Sequence, residues 1–249
     1  MYHIKYSCLS HVGKRRSMNQ DNFICEGLHM DPSDPAILTT FTGSTDTGSK
    51  PLFGIFDGMG GEQAGEQAAF IAAQTAAGFK PGSNLVADLL ALCQTANTGI
   101  VRYLRSHGIS SMGTTAAMLC FGGRDVTLCN IGDSKIFSFF RGELKQLSVD
   151  HVCAAGRGGK APLSQSLGVP PEEFIIEPFA ENMPCRIGEL FLICSDGLTD
   201  MVPTDSIRRT LQSVPFDEAG RKLLDMALDA GGKDNCTIML LQVGRASLL

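Results

Sequence analysis

The stretch FGIFDGMGGEQAGEQAA, residues 53–69, joins three local patterns in one short segment. The apolar run Leu52–Phe56 ends at Asp57-Gly58, and an alanine-rich run follows. Short apolar runs bounded by turn residues are typical of buried strands. Small residues along a helix allow it to pack closely on a sheet. The stretch therefore predicts a strand over Leu52–Phe56, a turn that carries a carboxylate, and a helix over Glu62–Phe79.

Further apolar runs rich in Ile, Val, Phe and Leu predict more strands of the same kind. Glycine-containing turns at Gly122-Gly123, Gly132-Asp133 and Arg141-Gly142 predict a meander from Thr115 to Leu147. The additional predicted strands are Thr115–Phe121, Val126–Ile131, Ile136–Phe140, Glu189–Cys194 and Cys236–Val243.

Helical periodicity is clearest over Leu85–Arg105, where Asn84 is the predicted N-cap and apolar residues recur along one face. A third helix is predicted over Phe216–Ala230 and a weaker one over Thr204–Ser213. Strands, then two long helices, then strands form an α+β order with antiparallel sheets.

The chain shows no internal repeat and no domain linker, so residues 1–249 are predicted to form a single domain. The polar stretches Thr39–Pro51 and Ala154–Pro162 are predicted to be surface loops.

Composition excludes several classes of protein. The 249 residues are 43% hydrophobic and carry a formal net charge of −5, from 21 basic and 26 acidic residues. Nucleic-acid binding is not expected, because a phosphate backbone needs clustered positive charge. Nine cysteines without a Cys-x-x-Cys pair argue against zinc ribbons and disulfide frameworks. With no signal peptide and no long apolar stretch, the sequence predicts a cytoplasmic protein that does not bind membranes.

Four aspartates lie where apolar strands meet turns: Asp57, Asp133, Asp196 and Asp234. Any one of them alone is an ordinary turn residue. Strand ends converge in space, however, and gathered carboxylates repel one another unless a cation relieves the repulsion. Oxygen ligands suit Mg²⁺ or Mn²⁺ rather than zinc. The pattern predicts a divalent-metal site at one end of the sheets.

A basic segment, Gly13–Asp21, comes before these aspartates in the chain. Such a run is usually a solvated surface. Arg16, however, stands five residues before Asp21 on a segment that enters a strand, and a guanidinium there can bind phosphate through two hydrogen bonds. Arg16 is therefore the candidate phosphate-binding residue.

These residues, taken with their neighbours, resemble the metal-dependent serine/threonine protein phosphatases, the PPM or protein phosphatase 2C family, in its bacterial form. The matching motifs occur in family order and cover the chain from about Gly13 to Val243. They are Arg16-x-x-x-Gln20-Asp21, FGIFDGMGGEQAGEQAA, SSMGTTAAMLCF, NIGDSKIFSF, RGELKQLSVDH, LSQSLG, ELFLICSDGLTDMV and GGKDNCTIMLL.

The resemblance implies a four-layer α-β-β-α sandwich, with two central antiparallel sheets flanked by helix pairs. It also implies a cleft that holds two Mn²⁺ or Mg²⁺ ions and a weaker third ion. Asp57 then matches the aspartate that bridges two ions, Gly58 offers its carbonyl, and Asp196 and Asp234 complete the first ion's protein ligands.

The remaining site residues are also implied by the resemblance. Asp21 matches an acid near the second ion that acts through water, Asp133 and Asp200 belong to the outer acidic cluster of the third, and Arg16 matches the phosphate clamp. The implied activity is hydrolysis of phosphoserine and phosphothreonine by metal-activated water, without a covalent intermediate. The expected partner is a phosphorylated protein, such as a serine/threonine kinase or its target, and a monomer is expected.

The sequence departs from the family pattern at three places. Met59 stands where many eukaryotic members have a histidine, and Gln20 replaces a glutamate found in some members. Only about 15 residues separate His151 from Leu167, where a longer flap is usual, so a more open cleft is expected.

Three alternatives were weighed. A catalytically weak phosphatase-like binding module is the main one, although the primary acidic positions are all present. Asp46-Thr47-Gly48 resembles half of an aspartic protease site but lacks the preceding apolar strand. Gly159-Lys160 lacks the upstream glycine of a nucleotide-binding P-loop.

Overall fold

The computed structural model describes residues 1–33, 36–59, 64–154 and 161–246. Within these ranges the chain forms strands and helices in an α+β order. The strands are β1 (Tyr2–His11), β2 (Asp21–Cys25), β3 (Leu38–Asp46), β4 (Leu52–Met59), β5 (Gly113–Thr114), β6 (Ala116–Gly122), β7 (Asp125–Ile131), β8 (Lys135–Phe140), β9 (Glu143–Gln146), β10 (Phe179–Pro184), β11 (Leu190–Cys194) and β12 (Cys236–Arg245). The helices are α1 (Gly65–Ala77), α2 (Leu85–His107), α3 (Asp196–Thr199), α4 (Thr204–Ser213) and α5 (Phe216–Asp229).

Two antiparallel sheets form the centre of the protein. Sheet A has the strand order β3-β1-β12-β11-β8-β9, and sheet B has the order β10-β7-β6-β4-β2, with β5 paired to the end of β4. Helices α1 and α2 pack on the outer face of sheet B, and α3, α4 and α5 pack on that of sheet A. The expected four-layer α-β-β-α sandwich is confirmed.

Strands covered on both faces explain the uninterrupted apolar runs in the sequence. In β4, Phe53 and Ile55 face the other sheet, whereas Phe56 faces the helices α1 and α2. Aromatic rings fill the space between the sheets: Phe121 contacts Phe53 at 6.1 Å and Phe191 at 5.8 Å between ring centroids. Both contacts are edge-on, which is a favoured geometry for buried aromatic rings.

The predicted helices have the expected positions. The side chain of Asn84 accepts a hydrogen bond from the backbone N–H of Ala87 at 3.2 Å, so this residue caps α2 as predicted. Along the same helix, Leu89, Cys93 and Ile100 lie on the buried face. The helix predicted from Glu62 begins at Gly65, and residues 60–63 lie outside the described part of the chain.

Two predictions about local structure are wrong. Residues 39–46 of the predicted loop Thr39–Pro51 belong to β3, an edge strand whose polar side chains alternate between exposed and half-buried positions. The meander from Thr115 to Leu147 does not exist either, since β6 and β7 lie in sheet B but β8 and β9 lie in sheet A. Turn residues alone do not distinguish a hairpin from a crossing between sheets. Most of the predicted loop Ala154–Pro162 lies outside the described residues.

The cysteines are free thiols, and all but Cys153 are buried. Burial raises the pKa of Cys120 and of Cys194 to about 12, so these thiols stay protonated at neutral pH. They are small apolar residues of the core. In the described part of the chain, no helix has the length and hydrophobicity needed to span a membrane.

Replacing Phe53 by alanine would remove the central ring from the layer between the sheets. We expect Phe53→Ala to lower the free energy of unfolding by about 3–5 kcal/mol, because the side chain is fully buried and leaves a cavity. Urea unfolding monitored by circular dichroism would measure the loss. The control Phe174→Ala, at a ring that is 48% exposed, should change stability by less than about 1 kcal/mol. Equal effects of the two substitutions would contradict this assignment of the core.

Candidate metal centre

Antiparallel pairing brings the ends of strands from both sheets to one end of the sandwich. The register pairs His11 of β1 with Cys236 of β12, and Cys194 at the end of β11 with Lys135 at the start of β8. In sheet B, Asp21 at the start of β2 pairs with Asp57 near the end of β4. The turns that carry the predicted aspartates therefore meet at this end.

Asp21 and Asp57 lie directly opposite each other on adjacent strands. Asp21 is only 3% exposed, and its Oδ2 atom accepts hydrogen bonds from Ser195 Oγ at 2.8 Å and Thr237 Oγ1 at 2.7 Å. Burial raises the pKa of Asp21 to about 6, although these two hydrogen bonds act in the opposite direction. The charged form of the Asp21 carboxyl group, next to Asp57, is therefore disfavoured by burial.

The turns that bear Asp196 and Asp234 are in direct backbone contact. A Cβ atom added to Gly197 would lie 1.9 Å from the carbonyl oxygen of Asn235, so only glycine fits after Asp196. Asp196 is the first residue of α3, and Asp234 lies two residues before β12. The close approach fixes these two carboxylates relative to each other.

Arg16 bridges the basic segment to this acidic end. Its Nη2 atom donates a hydrogen bond to Asp234 Oδ2 at 2.7 Å, and the two side chains are 47% and 39% exposed. The Asp234 carboxylate is the main cause that raises the pKa of Arg16, with smaller contributions from Asp57 and Asp21. The guanidinium group therefore neutralises part of the acidic cluster.

Asn235 holds the segment that carries Arg16. Its Oδ1 atom accepts a hydrogen bond from the Gln20 backbone N–H at 2.8 Å, and its Nδ2 atom donates to the carbonyl oxygens of Val12 at 2.8 Å and Met18 at 2.9 Å. The residue is 4% exposed. The sequence motif GGKDNCTIMLL contains this asparagine, but no sequence pattern indicates its role. Its use of both amide atoms shows that it anchors both ends of the Arg16 segment.

The backbone around Asp57 is equally constrained. Its N–H donates to Thr115 Oγ1 at 3.0 Å, and its carbonyl oxygen accepts from the Thr115 N–H at 2.9 Å and from Thr114 Oγ1 at 3.0 Å. A Cβ atom on Gly58 would lie 2.3 Å from the carbonyl oxygen of Gly65, the first residue of α1. Sequence analysis assigned no role to either threonine, although the motif SSMGTTAAMLCF contains both.

Asp133 and Asp200 differ in position. Asp133 lies in the crossing between β7 and β8 and is 8% exposed. The backbone N–H of the preceding residue, Gly132, is 3.2 Å from His151 Nδ1, and burial lowers the pKa of His151, which favours the neutral acceptor form. Asp200 is exposed at the end of α3 and, in the described part of the chain, is not among the residues that line the cleft.

A cleft of about 420 Å³ opens at this end of the sandwich. Its wall near Asp133 is completed by Ala161, Pro162 and Leu163, and the segment 155–160 lies outside the described residues. An antiparallel bridge between Val152 and Leu163 closes the base of this segment. Among the predicted site residues, those that line the cleft are Arg16, Asp57, Gly58, Asp133, Asp196 and Asp234.

The donor chemistry of the cleft fits a hard divalent cation, because the charged donors are carboxylates and no histidine or cysteine lines the cleft in the described ranges. Over the same ranges, no three His, Cys, Asp or Glu side chains form a ready-made cage for an ion. Asp234 and Asp21 are instead engaged by protein donors. The residues fit a metal by type and location.

Asp46, the residue of the protease-like triplet, lies at the far end of β3, where the register pairs it with His3. Its carboxylate contacts His3 Nδ1 at 3.2 Å. Residues 159 and 160 of the P-loop alternative lie outside the described part of the chain.

The raised pKa of Asp21 predicts a pH-dependent stability of the metal-free protein. A carboxyl group whose pKa rises from 3.8 to about 6 on folding contributes stability below pH 4, and this contribution is lost as the pH rises through about 6. Because pH 5 lies about one unit below the raised pKa, urea unfolding in EDTA should show a loss of about 1.4 kcal/mol from this group between pH 5 and pH 8. Asp21→Asn should reduce that loss, whereas Asp205→Asn on α4 should not. An unchanged pH dependence in Asp21→Asn would contradict the assignment.

Comparisons with known proteins agree with the fold and with the motifs. A family model described as protein phosphatase 2C matches residues 41–235. The chain is 31% identical over 206 residues to the serine/threonine protein phosphatase PstP of Mycobacterium tuberculosis, and this match covers 77% of the chain but only 40% of PstP. It is 28% identical over 214 residues to the serine/threonine phosphatase stp of Listeria monocytogenes, with 78% of the chain and 85% of the relative covered.

Among solved structures, the catalytic domain of the serine/threonine protein phosphatase PstP in complex with two manganese ions is similar to this chain along almost its whole length. The TM-score is 0.77 at 26% identity, and the match covers 98% of this chain and 100% of that domain. The family model, these relatives and the two-sheet fold agree with one another. The chain belongs to the protein phosphatase 2C family.

Proposed function

We propose that this chain is a metal-dependent protein phosphatase that hydrolyses phosphoserine and phosphothreonine. The observation that carries the proposal is the cleft, where the guanidinium group of Arg16 lies beside a set of carboxylates. This combination suits a phosphate monoester, which needs cations to neutralise its oxygens and a fixed donor to orient it. The relatives named as serine/threonine phosphatases support the same substrate class.

The proposed ligands of the first ion are Asp57, the carbonyl of Gly58, Asp196 and Asp234. Asp57 would also hold the second ion, and Asp21, opposite it on β2, would act on that ion through water. We assign Asp133 and Asp200 to a weaker third ion. Two Mn²⁺ or Mg²⁺ ions would supply the Lewis acidity that makes water a nucleophile at neutral pH and stabilises the phosphate oxygens.

The chain's own groups bind and orient the substrate. Arg16 can offer two N–H donors to the phosphate when it leaves Asp234, and Asn235 limits its movement by holding Val12 and Met18. Met59 lines the cleft where a histidine occurs in some relatives, so this side chain excludes water and cannot donate a proton to the leaving group. Because the primary carboxylates and Arg16 share the cleft, we favour catalysis over a binding module.

The wider assignments belong to the same proposal. We propose that residues 1–249 form one catalytic domain that works as a monomer on phosphorylated proteins, such as a serine/threonine kinase or its targets. Contacts between sheet A and sheet B through one apolar layer support a single domain. The free thiols support a reducing, cytoplasmic location.

Asp57→Asn and Asp196→Asn should each lower Mn²⁺-dependent hydrolysis of p-nitrophenyl phosphate by at least about 100-fold. The carboxamide keeps the shape of the side chain but removes the charge that holds the cations. Asp205→Asn, on the outer surface of α4, is the matched control and should keep full activity. Activity near that of the unmodified protein in either cleft variant would contradict the proposed ligands.

Arg16→Ala should have opposite effects on metal binding and on hydrolysis. Removing the ion pair frees Asp234, so Mn²⁺ should bind a few-fold more tightly in isothermal titration, since an exposed pair of this kind contributes about 1 kcal/mol or less. Loss of the phosphate-orienting donor should lower kcat/KM for p-nitrophenyl phosphate about 10- to 100-fold.

Arg15→Ala removes the same charge from the neighbouring exposed position and controls for long-range electrostatics. Arg15→Ala should change the Mn²⁺ affinity and kcat/KM less than Arg16→Ala does. Weaker Mn²⁺ binding by Arg16→Ala, or equal behaviour of the two variants, would contradict the assigned competition between Arg16 and the cation.

A further inference from the structure

A second cavity of about 210 Å³ adjoins the cleft through a shared wall. The shared residue is Met59, which follows Asp57 by two positions on β4 and lines both spaces. The cavity lies between the last turn of α2, strand β5 and the segment 166–173. Nothing in the proposed chemistry uses this space.

The wall beside Met59 is closely fitted. Strand β5 pairs with the end of β4, and the backbones of Thr114 and Leu167 exchange hydrogen bonds of 3.0 and 2.9 Å. A Cβ atom on Gly113 would lie 2.7 Å from the carbonyl oxygen of Leu167 and 3.3 Å from the terminal methyl carbon of Met59. Glycine at this position is therefore what allows the three groups to meet.

The opposite wall is held by a buried polar side chain. Asn97 of α2 is 5% exposed; its Oδ1 atom accepts from the N–H groups of Gly168 at 2.7 Å and Val169 at 3.1 Å, and its Nδ2 atom donates to the Val169 carbonyl at 3.0 Å. Gly168 has a φ of +104°, which favours glycine. An asparagine on an otherwise apolar helix face thus fixes the loop, and the cavity is rigid before any ligand arrives.

The lining of the cavity is mixed. Met59, Leu104, Met112, Val169 and Pro170 contribute apolar groups, Ser110, Ser111 and Ser166 contribute hydroxyls, and the exposed Glu173 stands at the edge. Drug-sized ligands need about 300 Å³ or more, so this smaller space suits one aliphatic side chain. Met59 follows Asp57 by two positions, which correspond to roughly 7 Å along a strand, and an extended peptide also covers this distance in two residues.

We infer that this cavity binds an apolar side chain of the phosphoprotein substrate, such as leucine, isoleucine or methionine, two or three residues from the phosphorylated serine or threonine. The inference rests on the proposed phosphatase function and adds a sequence preference to it. The inference rests on continuity with the cleft through Met59, on the apolar side chains in the lining, and on the hydrogen bonds that hold the cavity walls. The edge residue Glu173 also disfavours acidic residues next to the apolar one.

The test is a panel of phosphoserine peptides of one sequence, with leucine, alanine or aspartate placed two or three residues before or after the phosphoserine. Phosphate release gives kcat/KM for each peptide, and p-nitrophenyl phosphate, which cannot reach the cavity, reports on the cleft alone. At one or more of these positions, leucine should be preferred over alanine about tenfold, and aspartate should be the poorest.

Val169→Glu places a charge in the cavity and should reduce the leucine-to-alanine ratio to about one. Ile175→Glu adds the same charge at a side chain that is 72% exposed outside the cavity and should keep the ratio. Equal kcat/KM for leucine, alanine and aspartate peptides in the unmodified protein, or an unchanged ratio in a folded Val169→Glu variant, would overturn the inference. A lack of hydrolysis of every peptide and of p-nitrophenyl phosphate would instead overturn the proposed function on which it rests.

Discussion

The carboxyl groups of Asp21 and Asp57 lie opposite each other across the β2–β4 ladder, and the rest of the site is arranged around this pair. Burial makes the Asp21 carboxylate costly to ionise, and the charge of Asp234 adds to this cost. Ser195 and Thr237 reduce the cost by donating hydrogen bonds to Asp21, and Arg16 neutralises nearby Asp234. A cation bound nearby would favour the charged form of the Asp21 carboxyl group, and this links the fold to the proposed metal-dependent chemistry.

Close backbone contacts hold the acidic residues in place. Gly58 lets the turn after Asp57 lie against the start of α1, and Gly197 lets the turn after Asp196 lie against Asn235. The Asn235 side chain then fixes the segment that carries Arg16. These constraints come from both sheets, so the apolar layer between the sheets determines the geometry of the cleft. Stability and site geometry are therefore coupled through residues that never touch a substrate.

Much of the fold could be predicted from local patterns, because strands covered on both faces are continuously apolar and long helices have a clear period. The failures have physical causes. Strand β3 is an edge strand with polar outer side chains, so its threonines resemble those of a loop. Gly132, directly after β7, has a φ of +95°, and the chain crosses to the other sheet at this point. A glycine followed by an aspartate would also suit a hairpin turn. Which strands pair with each other depends on residues far apart in the chain, so turn residues alone cannot predict it.

The features of the site also divide into those that the sequence could predict and those that it could not. The convergence of Asp57, Asp196 and Asp234 on one cleft follows from strand ends and could be anticipated. The anchoring by Asn235 and the cavity behind Met59 could not, because both depend on contacts between residues far apart in the chain. In the proposed function, Asn235 fixes the arginine that binds phosphate, and the cavity would give room to a neighbouring side chain of the substrate.

The central claim is that this cleft exists to hold divalent cations between the opposed carboxylates and Arg16. Anomalous diffraction from crystals soaked in Mn²⁺ tests it most directly. The account predicts two strong manganese peaks in the cleft contacting Asp57, with Asp196 and Asp234 at one of them and Arg16 released from Asp234. Crystals that bind Mn²⁺ only elsewhere, or that leave Arg16 on Asp234 with no peak in the cleft at saturating Mn²⁺, would contradict it.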